Sequence, residues 1–464
     1  MRTPVVASRT RALLAVSLGV FCVQLDAFAL PVALRRLVHD LPTSSADPGW
    51  VLSAYLLSSG TFMLGAGRLG DLWGRRRLLI VGLALFGAAA AGCALAPTLP
   101  VLIGARVVQG AGAALVMPVG LALLSQRYPG ALRGRAIGWA LGLGGIATAS
   151  GPFIGGAVTE AWSWRVVFWL AVPLTALGIG CAASSAAPRS AARGGTSSRC
   201  GARPVDWRGL LLATAALGVL ALVLDRGRQG RWDAVLFGLV GVAALVILLV
   251  RRERATAHPL VAPALFRNGP FMALTLGGAV ANTATVVFLY TVPGTLQGQW
   301  ALSVSGAGTA FALPALAMAV AGPVAGRIPA RLAVRLMAGA LGGMAALFGC
   351  LAQASSLTVY LTVATIGGGV LGMANSLTLV ATQTAIDPLW AGEASGVTKT
   401  VLTLAAGLGI TLAASASGHS DGMGARTPPD QIWWITALGC LTSGFLLARL
   451  HQWASVRPRR RGRA

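Results

Sequence analysis

Along the 464 residues, charged clusters are separated by fourteen apolar stretches of roughly 18 to 27 residues. A helix rises ~1.5 Å per residue, so ~20 residues cross the ~30 Å hydrocarbon core of a bilayer. The stretches run over 12–34, 50–68, 77–96, 99–124, 134–160, 165–187, 207–225, 233–250, 270–292, 303–326, 332–353, 357–382, 393–417 and 431–450. Backbone groups in lipid must bond within their own segment, which leaves helices or a closed barrel. A barrel would show ~10-residue alternating strands, and no such pattern occurs. Only 11% of the residues are charged and 55% are hydrophobic, too little polar surface for a domain bathed in water. The expected fold class is an all-α polytopic membrane protein.

A net charge of +24 raises the question of nucleic acid, and the placement of the charge answers it. Arginines crowd the N-terminal tail (Arg2, Arg9, Arg11), then the loops after the second (Arg75, Arg76, Arg77) and fourth stretches (Arg127, Arg133, Arg135). They return after the sixth (Arg189, Arg193, Arg199, Arg203), the eighth (Arg251, Arg252, Arg254, Arg267) and the tenth (Arg327, Arg331, Arg335), and in the tail Arg457 to Arg463. Arg35, Arg36, Arg226, Arg228 and Arg231 dissent, accompanied by acids. By the positive-inside rule, both termini and the even-numbered exits are expected to be cytoplasmic, in a multi-pass protein of the inner membrane. No nucleic-acid partner is expected. The first stretch is too long for a signal peptide and carries Asp26, so no cleavage is expected. The six cysteines have no metal-ligand spacing, so neither a metal nor a disulfide is expected.

A stretch rich in Ala, Arg, Ser and Gly at 188–206 reads as a cytoplasmic linker. It divides the chain into an N-terminal six-helix bundle (1–187), two inserted transmembrane helices (207–250), a cytoplasmic loop (251–269), a C-terminal six-helix bundle (270–450) and a basic cytoplasmic tail (451–464). Gly67-Arg68-Leu69 after the second stretch is echoed by Gly326-Arg327-Ile328 after the tenth, and Arg76 by Arg335. Paired bundles are a mark of secondary transporters, although any basic loop between helices looks similar.

Ionisable groups deep in a bilayer are costly and need a partner, a water path or a function. Asp26 lies ~12 Å from the outer end of the first stretch and Arg106 ~10 Å from the outer end of the fourth, by the helical rise. Two such groups at one depth make either a proton switch, with Gln109 one turn away, or a static pair that fixes packing. Asn282, Asn375 and Gln383 line a substrate path or bond between helices. Lys399, the only lysine, reads as snorkelling to the interface and receives no role.

Three motifs then carry a resemblance. The turn Gly67-Arg68-Leu69-Gly70-Asp71-Leu72-Trp73-Gly74-Arg75-Arg76-Arg77 is similar to the signature loop of the major facilitator superfamily, where it is a conformational latch. Arg106-Val107-Val108-Gln109-Gly110 resembles the family's arginine motif of proton coupling, which implies that role for Asp26, Arg106 and Gln109. Gly151-Pro152-Phe153-Ile154-Gly155-Gly156 resembles the motif of exporters that exchange substrate for protons; its small residues let helices touch and Pro152 removes a ladder bond.

The helix count and Asp206-Trp207-Arg208-Gly209 resemble the fourteen-helix drug:proton antiporter branch, of multidrug and quaternary-ammonium efflux type. In the first stretch the aspartate of that branch is present as Asp26, but the branch's following threonine, asparagine and proline are replaced by Phe28, Pro31 and Arg35. The resemblance implies the major facilitator fold: two six-helix bundles plus two inserted central helices. It also implies a monomeric antiporter, without cofactor, that exports small amphipathic compounds in exchange for protons. A receptor or scaffold of the same fold, or a proton-coupled importer, is the alternative. An ATP-driven pump is disfavoured because no phosphate-binding lysine loop is encoded, and an enzyme because there is no metal-binding His pair, nucleophile with a base or dinucleotide fingerprint.

Overall fold

The computed structural model describes residues 4–41, 50–185, 207–228, 232–256, 263–384, 386, 390–417 and 429–456. Among them are sixteen helices and no strand: α1 (Pro4–Asp40), α2 (Trp50–Trp73), α3 (Arg75–Leu95), α4 (Leu99–Arg127), α5 (Ala131–Ala161), α6 (Trp164–Trp169), α7 (Ala171–Ser184), α8 (Trp207–Arg228), α9 (Trp232–Ala255), α10 (Pro263–Arg267), α11 (Gly269–Gly298), α12 (Val304–Ala325), α13 (Ala330–Ala352), α14 (Leu357–Thr384), α15 (Ala391–Ser417) and α16 (Pro429–Val456). Eleven helical stretches among the described residues are long and apolar enough to cross a membrane. α2, α8 and α15 are not among the eleven; their 24, 22 and 27 residues exceed the ~20 that a crossing takes, and fourteen passes require all three. The linker at 188–206 and the tail beyond 456 lie outside the described residues.

The sixth stretch, expected as one helix, is two. Pro173 has no N–H to offer the carbonyl of Trp169, and the chain breaks between them at Leu170. The first stretch is longer than expected, since α1 continues beyond 12–34 at both ends. Turns follow local chemistry. Gly74 separates α2 from α3 with φ +92°, a conformation that suits glycine. Asn268 and Ser303 cap α11 and α12, accepting from the backbone N–H of Phe271 at 3.2 Å and of Gly306 at 3.0 Å.

The helices pack as one pattern used twice. α1 lies on α5, α2 and α3 on α4, and α7 on α1 and α3; likewise α11 lies on α15, α12 and α13 on α14, and α16 on α13 and α11. Each set closes around its own apolar core, one holding Phe86, Leu79 and Val116, the other Phe288, Phe348 and Trp433. The sets meet along two seams, α5 against α12 and α2 against α15. α8 and α9 pair with each other, and α8 rests on α2 and α15. α9 presents Leu236, Phe237 and Val240 outward, each more than half exposed, as a lipid-facing helix does.

Candidate functional site

α1 carries two chemistries on two faces. On one, Asp26 accepts from Arg106 Nη1 at 2.6 Å and from Gln109 Nε2 at 3.0 Å, while Arg106 Nη1 also reaches Gln109 Oε1 at 2.7 Å. Arg106 and Gln109 sit one turn apart on α4 and so share a face. All three are sealed inside the first bundle: Asp26 is 4% exposed and the other two 0%. The guanidinium further donates from Nε to the carbonyl of Val51 at 3.0 Å and lies 4.1 Å over the ring of Tyr55. Among the described residues its Nη2 has no hydrogen-bond acceptor. The charge-assisted bonds make each charge tolerable there, and removing either one strands the other.

The opposite face of α1 lines a cavity between the bundles. Residues two apart on a helix do not share a face, and Gln24 and Phe28, on either side of Asp26 in sequence, both line this cavity while Asp26 does not. Gln24 donates to Thr148 of α5 at 3.0 Å. From the second bundle come Asn282, Asn375 and Lys399, with Val286, Met318 and Leu402 as apolar wall. Asn282 donates to the carbonyl of Leu402 at 2.7 Å, and Asn375 to Thr285 Oγ1 at 2.6 Å. At about 110 Å³ the cavity is smaller than the ~300–1,000 Å³ that hold drug-sized ligands, so a bulky ligand needs the bundles to part.

The turn between α2 and α3 ties the bundles together on the face that carries the arginine loops. Arg68 Nη1 meets Glu393 Oε1 of α15 at 2.5 Å, and the two side chains are 11% and 2% exposed. Beside them Gly67 lies so close to the carbonyl of Gly392 that a Cβ would overlap it. Arg75 donates to the carbonyl of Ala122 at 2.9 Å, and Arg76 to those of Ala182 and Ala183, which pins the turn to its own bundle. The side chain of Asp71 lies outside the described residues.

α5 has two glycine faces. A Cβ on Gly151 would meet that of Phe28 at 2.8 Å, and one on Gly155 would overlap Ala29, so the segment containing Pro152 and Gly156 clasps α1 just beyond Asp26. Gly134, Gly138 and Gly142 face α12 instead, where Gly322, Pro323 and Gly326 come equally near.

The sequence-derived residues thus divide. Asp26, Arg106 and Gln109 form one cluster; Asn282 and Asn375 line the cavity. Gln383, grouped with those two, does not line it: its Oε1 accepts from Ser125 at 3.1 Å and its carbonyl from Arg133 at 3.1 Å, which makes it part of the contact between bundles. Lys399, read as an interface residue, faces the cavity, because its neighbours Thr398 and Thr400 are turned toward Thr275 of α11 and the carbonyl of Gly60 of α2. Glu393, the partner of Arg68, escaped sequence reasoning. An acid two residues into a helix, at the same membrane face as a motif arginine, was the available signal.

Comparison with known proteins agrees with this architecture. The family profile described as Major Facilitator Superfamily matches residues 16–410. The multidrug resistance protein Stp of Mycobacterium tuberculosis is 33% identical over 60% of this chain, which spans 50% of that protein's length. The cephamycin export protein CmcT of Amycolatopsis lactamdurans is 32% identical over 90% of this chain and 87% of its own. In structure the chain is similar to the human organic anion transporter MFSD10, with a TM-score of 0.68, 15% identity, and 96% and 100% of the two chains covered; that likeness concerns the fold. Sequence profile, relatives and helix packing together identify the chain as a member of the Major Facilitator Superfamily, a family of transporters and not of enzymes.

Proposed function

We propose that the protein exports small amphipathic organic compounds across the inner membrane in exchange for protons, by alternating access of the central cavity. The observation that carries the proposal is the sealed Asp26–Arg106–Gln109 cluster on the reverse of the cavity-lining face of α1. A proton delivered to Asp26 cancels its charge and releases Arg106 from its strongest partner. Any shift of α1 that follows moves Gln24 and Phe28 in the cavity wall, so proton and cargo act on one rigid element from opposite sides. Relatives named for multidrug resistance and antibiotic export support the direction of transport and the class of cargo.

With the arginine-rich loops cytoplasmic, the Arg68–Glu393 contact closes the cytoplasmic side in the described state. Cargo released outward leaves a carboxylate ready for an external proton. That protonation favours reopening inward, where the proton leaves and new cargo enters. The cycle needs neither nucleotide nor cofactor, and one chain holds both bundles.

Asp26→Asn tests the reading. In everted vesicles, addition of an exported drug to the parent protein should dissipate the proton gradient, and the variant should show no drug-dependent proton movement. Transport by the parent that ignores an uncoupler would overturn antiport, and a variant that protects cells as well as the parent would remove Asp26 from it.

A further inference from the structure

Among the described residues, Lys399 is the one ionisable residue lining the central cavity. It sits eight residues into α15, ~12 Å along the helix from its first residue at ~1.5 Å per residue. Among the described residues its ammonium makes no hydrogen bond or ion pair; its backbone carbonyl is used, accepting from Thr403 at 2.9 Å. The acids on neighbouring elements are taken. Asp26 lies on the far face of α1 with Arg106 and Gln109, and Glu393 is paired with Arg68. Two further features fix the lysine where it is. Thr398 and Thr400 are buried against α11 and α2, so α15 cannot turn Lys399 away without breaking both contacts. An unpaired cation in a cavity walled by Val286, Met318 and Leu402 draws an anion far more strongly than the same cation in water.

We propose, resting on the export reading, that the cavity is an anion site: the cargo carries one negatively charged oxyacid group, a carboxylate or sulfonate, on an apolar body, and Lys399 is the residue that receives it. Asn282 of α11 and Asn375 of α14 line the same cavity, their amide nitrogens donating to the Leu402 carbonyl and to Thr285, and the apolar wall takes the rest. Cationic amphiphiles, the expected cargo of the branch that the sequence resembles, find no carboxylate in this cavity and meet Lys399 with like charge.

Binding measured on the purified full-length protein in detergent, without a proton gradient, separates this from the antiport reading. The probes are three fluorescent amphiphiles of similar bulk: dansyl-phenylalanine, its methyl ester and dansylcadaverine, which are anionic, neutral and cationic. The parent should bind the acid at least tenfold more tightly than the ester, with the cation weakest. Lys399→Gln should lose that preference while still binding the ester, a result that also shows the variant is folded; Lys399→Arg should keep it. Equal affinity for acid and ester, preference for the cation, no binding of the acid, or an acid preference that survives Lys399→Gln overturns the proposal. Acid preference in a protein whose transport ignores the proton gradient would keep the anion site and remove antiport.

Discussion

The two seams between the bundles occupy equivalent places in the repeated pattern but are built from different chemistry. In α2 against α15, Gly67 meets the carbonyl of Gly392, and the next residue on each side supplies the Arg68–Glu393 pair. In α5 against α12, Gly326 meets the carbonyl of Gly134 in the same way, but the next residues are Arg327 and Arg135. The glycine contact is duplicated and the ion pair is not. The α5–α12 seam compensates with length, continuing upward through Gly138 and Gly322 to Gly142 and Pro323. On the alternating-access reading proposed above, one seam would act as a backbone-to-backbone hinge line and the other as a latch that one charge can open. A molecule that rocks would need a fixed axis and a releasable contact, and on that reading the asymmetry offers one of each.

The largest expected effect comes from the latch. Glu393→Gln leaves Arg68 buried without its partner, and breaking a buried pair costs ~3–5 kcal/mol. Cysteine labels at the ends of α2 and α15 should then report a closed population reduced by about a hundredfold or more. Replacing both partners with apolar residues, Arg68→Met with Glu393→Leu, should restore closure, because no stranded charge remains; continued opening in the double variant would show that the pair is not the latch.

Next in size is the hinge line. A Cβ on Gly138 would stand 2.6 Å from the carbonyl oxygen of Gly322, so Gly138→Leu must push the seam apart, at a cost of ~1–3 kcal/mol or more. A lowered melting temperature and loss of transport are expected, whereas Gly339→Leu on α13, where a Cβ meets nothing within 4 Å, should leave both unchanged. Matching behaviour of the two variants would deny the hinge its backbone contact. The smallest effect is expected from giving the second seam a pair of its own. Arg327→Glu places an acid near exposed Arg135, whose Cα is 3.2 Å from where a Cβ on Gly326 would lie. An exposed pair contributes ~0.2–1 kcal/mol, so turnover should slow at most a few-fold, and the slowing should vanish in high salt. Acceleration would mean that the α5–α12 seam does not stay closed during the cycle.

Much of this was legible in sequence, for identifiable reasons. Hydropathy marks helices because lipid leaves the backbone no other partner, and depth along α1 and α4 puts Asp26 level with Arg106, which it meets at 2.6 Å. Depth is one-dimensional, however, and says nothing of azimuth. Gln24, Asp26 and Phe28 are equally deep within a few ångströms, yet one faces Arg106 and the other two face the cavity. For Gln383 the sequence leaves two readings open, a cavity wall or a bond between helices, and its bond to Ser125 is of the second kind. For Glu393 the sequence offers only its place at the membrane face of the motif arginine, because the partner itself is 325 residues away in the chain.

By itself the sequence determined that the chain lives in lipid, that its elements are helices, how its basic loops alternate, and which few charges are deep enough to matter. All of these follow from the energy of one segment against its solvent. Tertiary structure alone decided which faces of those helices look inward, that the sole lysine stands in the cavity, and that one seam carries an ion pair beside its glycine contact while its counterpart carries glycine contacts along its length. Those depend on rotation of one helix against another, which is set by side-chain packing across the bundle and leaves no periodic trace in helices that are apolar nearly all round.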